Sequence, residues 1–144
     1  MKILVVAALV WCALIAKPSM ADEGIQPGLW KITTNTSNNG VTIPPHVNSR
    51  CLTVEQAKNL ADTFSPKFGG INTICERTEY EKSAQKMSWR LQCKGQMNMD
   101  TVAEFTFFSS LRYVATISTK AWMADQQILD SHVALEGTYV GACP

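Results

Sequence analysis

The chain has 144 residues, 46% of them hydrophobic and 17% charged, which suits one compact domain and argues against a multidomain enzyme. Thirteen basic against twelve acidic residues leave a formal net charge of +1. No global basic field therefore draws the protein onto nucleic acid or an acidic membrane.

Met1-Lys2 supplies one positive charge, and Ile3 to Ala16 is an unbroken apolar run, too short to span a membrane. Small residues follow at Ser19 and Ala21, so the pattern predicts a secretory signal peptide over residues 1–21 and no transmembrane segment once it is removed. Residues 22–144 are then expected to form a single disulfide-bonded β domain in the periplasm or outside the cell. Losing Lys2 and Lys17 moves the formal net charge to −1, and losing Cys12 leaves Cys51, Cys75, Cys93 and Cys143. An even set of four in an exported domain reads as two disulfides. The wide gaps between them lack the close pairs of a structural zinc site.

Along the mature chain the dominant signal has period two. Trp30, Ile32 and Thr34 alternate with Lys31 and Thr33, and Val41, Ile43 and Val47 do so raggedly around Pro44-Pro45, which predicts an edge strand there. Thr53-Val-Glu-Gln56 has the spacing of a capping box, and Val54, Ala57, Leu60 and Ala61 share one helical face. A helix is expected from Val54 to Asp62, then a loop over 63–73. Met87, Trp89, Leu91 and Cys93 alternate with Ser88, Arg90 and Gln92. The same parity runs through Met97, Met99, Ala103, Phe105 and Phe107, then through Leu111, Tyr113, Ala115 and Ile117. Leu129, Val133, Leu135 and Tyr139 make a last apolar row. The expected fold is mainly β: an antiparallel meander of about seven strands, in sequential order, with one short helix. Seven half-apolar strands cannot be hidden by so small a helix, so the sheet must curl into a barrel-like form or fold into a sandwich. The helix would plug one end or cover an opening.

Residues 73–81 and 86–93 read as hairpin arms around Lys82 to Gln85, and centring the turn on Ala84 sets Cys75 opposite Cys93. By elimination Cys51 joins Cys143. The same register sets Arg77 and Glu79 against Leu91 and Trp89, which a bulge or an alternative pairing such as Cys51 with Cys75 would relieve.

Gly28-Leu-Trp30, Cys51-Leu-Thr-Val-Glu-Gln-Ala57, Cys75, Trp89, Cys93 and the ending Gly141-Ala-Cys143 together resemble the small exported proteobacterial family catalogued as domain of unknown function 3617. The resemblance implies a periplasmic or secreted, disulfide-bonded β domain and carries no catalytic residues with it.

Candidate chemistry is sparse. The mature chain has two histidines, His46 and His132. Asp130-Ser131-His132 is triad-like in order, but on a strand Ser131 points away from the other two. An exposed polar row of Asp130, His132 and Glu136 is expected instead. Glu76, Glu79 and Glu81 read as a solvated strand face, and no Gly-rich phosphate loop or HExxH occurs. Met97 and Met99, taken as i and i+2 on one strand, are weak candidates for Cu(I), although core packing explains them. Trp30, Trp89, Trp122, Tyr113 and Tyr139 build core or line a pocket. Trp122-Met123, read as lying in an exposed turn, is the candidate contact site.

The expected function is non-enzymatic binding in the bacterial envelope, of a small apolar ligand inside the sheet or of a protein partner through Trp122, with no cofactor. Alternatives are an inhibitor or immunity protein against an envelope-directed hydrolase, a Cu(I) carrier, and a small hydrolase using His132.

Overall fold

The computed structural model describes residues 24–65 and 72–144. The expected signal peptide over residues 1–21, and most of the loop expected over 63–73, lie outside the described residues.

Among the described residues seven strands form one antiparallel sheet: β1 (Gly28–Asn38), β2 (Val41–Leu52), β3 (Thr73–Lys82), β4 (Lys86–Gly95), β5 (Asn98–Ser109), β6 (Arg112–Met123) and β7 (Gln126–Gly141). Their spatial order is β2-β1-β7-β6-β5-β4-β3. All seven therefore belong to one sheet. It departs from plain sequential order at one place: β1 pairs with β7, so β2 and β3, consecutive in the chain, lie on the two free edges. The pairing follows from registry. Trp30 and Ile32 bring their apolar face beside Tyr139 and Gly137, extending the inner row of β7.

Two hairpins close on two-residue turns with both central residues at positive φ, Asn39-Gly40 and Ala124-Asp125. This conformation matches the twist of the strands it joins, and Asn-Gly is its favoured sequence. In the β3–β4 hairpin Cys75 lies opposite Cys93, as the Ala84-centred register requires. The conflict in that register is resolved by a bulge after Arg77, which sets Glu79 against Arg90 and Tyr80 against Trp89. Both expected disulfides are present, Cys75–Cys93 and Cys51–Cys143.

The expected helix is broken in two: α1 (Val54–Lys58) and α2 (Leu60–Thr63). Thr53 caps α1 through a complete capping box, its hydroxyl accepting from the Gln56 N–H while the Gln56 side chain accepts from the Thr53 N–H. The break falls at Asn59, whose backbone leaves the helical region and whose side chain bonds Asp62. Asn competes well for such local bonds, which is why it interrupts a helix this short.

The core gathers the inward positions of β1 and β4 to β6: Trp30, Ile32, Met87, Trp89, Met99, Ala103, Phe105 and Tyr113, with Leu52, Ala57, Leu60 and Ala61 from the helical segment. Each large apolar side chain buried this way contributes roughly 1.5–3 kcal/mol. Apart from Leu52, the half-buried Arg50 and the half-buried Thr73, β2 and β3 are exposed throughout. Pro44-Pro45 on β2, and Glu76, Arg77, Glu79, Glu81 and Lys82 on β3, discourage edge-to-edge pairing.

Candidate functional site

The segment α1–α2 links the two free edges of the sheet, and one arginine from each edge reaches it. Arg50 on β2 donates to the Thr63 carbonyl at 3.4 Å and lays its guanidinium 5.7 Å from the centre of the Phe64 ring. Arg77 on β3 pairs with Asp62. That pair, with the Asn59 amide, holds the Asp62 carboxyl below its ordinary range. Asp62 is well exposed, so the tether contributes no more than about 1 kcal/mol. The inner side of the segment is apolar: Ala57, Leu60 and Ala61 are buried. The arrangement is a short lid with an apolar underside, held at its rim by polar contacts.

Beneath the lid lies an aromatic floor. Phe64 packs 5.3 Å from Phe105 and 5.6 Å from Tyr113, centre to centre. Tyr113 lies 5.4 Å from Trp30, whose far side meets Tyr139 at 5.9 Å. The Trp30 indole N–H is satisfied by the Gln26 carbonyl at 2.8 Å. The Tyr113 hydroxyl is not satisfied: it is buried and has no hydrogen-bond partner among the described residues. Burial pushes its acidity well down, opposed weakly by the nearby charge of Arg50, so the hydroxyl stays protonated. Beside Leu60 and Phe107, near the β3–β4 turn, a cavity of about 20 Å³ remains, room for one water.

The other candidates fall elsewhere. His132 lies on the outward face of β7 in the expected polar row, its Nε2 3.2 Å from Asp130. Its Nδ1 is 3.1 Å from the hydroxyl of Ser118, the residue opposite it on β6. This is the serine that Ser131 could not supply. Only cross-strand registry reveals it, because the two residues are fourteen positions apart. The trio sits on the outward face of the paired strands β6 and β7, and the Asp130 N–H donates to the Asn39 side chain.

Met97 and Met99 do not share a strand. Met97 is half-buried in the β4–β5 turn, since Gly95 adopts positive φ and its N–H bonds Asn98, while Met99 is buried on β5. Trp122 is not in a turn: it is the half-buried penultimate residue of β6, and Met123, which ends the strand before the Ala124-Asp125 turn, is exposed. Glu76, Glu79 and Glu81 are exposed, and Glu79 reaches Arg90 at 3.4 Å. His46 is exposed on β2. Among the described residues no three His, Cys, Asp or Glu side chains gather as a metal site, and no helix is long and apolar enough to cross a membrane.

Residues 25–143 match the family described as protein of unknown function (DUF3617), a span covering every strand, the lid and all four bonded cysteines. The chain belongs to that family. No curated protein matches it, and neither does any solved structure. For this DUF3617 member the lid, its two arginine tethers and the floor beneath are therefore read from the geometry alone. Its two disulfides suit an oxidising, extracytoplasmic setting.

Proposed function

We propose that this DUF3617 domain is a non-enzymatic binding protein of the periplasm or extracellular space, and that it takes an apolar small molecule onto the aromatic floor as α1–α2 lifts. The observation that carries the reading is the construction of the lid. Two sheet edges that do not pair with each other hold the same two-turn segment by weak polar tethers, while Leu60 and Phe64 roof an aromatic surface. Elements with few buried contacts and exposed hydrogen bonds open at low free energy. The signal-like amino end and the two disulfides support export. Favouring binding over hydrolysis is the position of Ser118, His132 and Asp130, on the outward sheet face and not on the aromatic floor.

The test is titration with the neutral fluorophore N-phenyl-1-naphthylamine. Saturable one-to-one binding that changes Trp30 emission is expected, and Phe64→Ala, which thins the roof, should tighten it severalfold. Absence of saturable binding to a folded wild-type protein would overturn the reading.

A further inference from the structure

Arg50 and Tyr113 approach Phe64 from two sides. The guanidinium is 5.7 Å and the phenol ring 5.6 Å from the Phe64 ring centre, so Phe64 at the end of the lid is a neighbour of both. Arg50 is half-buried and pairs with no carboxylate among the described residues. Its single hydrogen bond, to the Thr63 carbonyl, is long at 3.4 Å and leaves most of its five N–H donors unused. Arg77, the other lid tether, differs in having a carboxylate partner, Asp62. Tyr113 is wholly buried and its hydroxyl has no partner among the described residues. A buried, unsatisfied hydroxyl is destabilising, so one in the neighbourhood of an unpaired cation calls for a partner that the resting protein lacks. Both groups are donors, one is permanently charged, and no acidic group stands between them.

We propose that the ligand of the floor is an amphiphile with an anionic head, the head bound by the Arg50 guanidinium and the Tyr113 hydroxyl and the apolar tail lying on Trp30, Phe105 and Phe107. This rests on the binding reading above and adds the chemical class of the ligand. A guanidinium fork matches a carboxylate in two parallel bonds, and the phenol adds a third donor from the apolar side. On opening, Phe64 leaves both donors, and the head takes its place.

The probe is cis-parinaric acid, a fluorescent long-chain carboxylic acid, compared with its methyl ester at neutral pH. Wild-type protein should bind the acid at least about tenfold more tightly than the ester, the factor expected when a charge-assisted hydrogen bond is gained. Arg50→Gln should abolish that preference, bringing acid and ester to equal affinity, and Arg50→Lys should restore part of it. Tyr113→Phe should weaken the acid severalfold relative to the ester. A purely structural role for Arg50 in holding the lid would shift acid and ester together. Equal binding of acid and ester by the wild type would overturn the anionic head and leave the apolar floor standing. Failure of both to bind would overturn the floor itself. The wild-type comparison decides the matter even where a variant fails to fold.

Discussion

Gly137 faces Tyr113 across the β6–β7 pair, and a Cβ built on it would fall 2.2 Å from the phenol ring. The ring therefore lies across β7 only because no side chain stands there. Gly137→Ala should destabilise the domain by about 1–3 kcal/mol through overpacking, read as a lower urea midpoint with unchanged slope. Tyr113→Phe tests the same residue in the opposite direction. Removing a satisfied buried hydroxyl costs about 1 kcal/mol, whereas removing an unsatisfied one is neutral or stabilising. We expect an unchanged or higher midpoint for Tyr113→Phe, and a clear loss of stability would mean that the hydroxyl has a partner in the resting protein. Stability and binding should then separate at one atom, since the same substitution weakens acid binding. Such divergence marks a group kept for a ligand rather than for the fold.

At the scale of elements, β4 and β5 are joined on their outward face by Arg90 and Asp100, whose fork meets both carboxylate oxygens at 2.8 and 2.6 Å. The Arg90 hydrogen bonds hold the Asp100 carboxyl below its ordinary value of 3.8, with Lys120 on β6 adding to the effect. A depressed carboxylate contributes stability above its unfolded pKa and loses it as pH falls through the folded one. Stability should therefore decline from about pH 4 downward, and Asp100→Asn should lower the unfolding free energy at neutral pH by about 1 kcal/mol while flattening that decline. Urea melts at pH 7 and pH 3 check both. The elements themselves were legible in the chain because inward positions are apolar at every second residue, as in Met87, Trp89, Leu91 and Cys93. The capping box marked the start of the lid for the same local reason. What escaped is non-local. The β1–β7 pairing, the Ser118–His132 contact and the meeting of Arg50 with Phe64 and Tyr113 all depend on registry between distant segments. Arg50 carried no signal in the sequence, since a lone arginine on an edge strand is ordinarily a solvated charge.

For the whole molecule, the connection that matters most is the one between the lid's anchor and the end of the chain. Leu29 on β1 lies opposite both Cys51 on β2 and Gly141 on β7, so the Cys51–Cys143 bond steps over β1 and staples the edge strand to the far end of β7. Cys51 is adjacent to Arg50 and two residues before the Thr53 cap, and the staple thereby fixes the position of the lid as well as the edge. The Cys75–Cys93 bond lies wholly within the β3–β4 hairpin. With sequence separations of 92 and 18, the two bonds restrict the unfolded chain unequally, by about 4.5 and about 3 kcal/mol in the chain-entropy description. Their removal should differ in place as well as in size. Cys75→Ser with Cys93→Ser should lower global stability by about 3 kcal/mol and loosen the β3–β4 edge with its Arg77 tether, leaving the floor and the Arg50 side of the lid intact. Cys51→Ser with Cys143→Ser should lower it by about 4.5 kcal/mol and free β2 and α1–α2 first. Amide hydrogen exchange read strand by strand distinguishes the two, with the second variant losing protection in β1–β2 and the lid while β4 to β6 keep theirs. That variant should also bind N-phenyl-1-naphthylamine faster, because one hinge of the lid is no longer held. If protection fell uniformly across all seven strands, the lid would open only with the whole domain, and entry to the aromatic floor would require global unfolding.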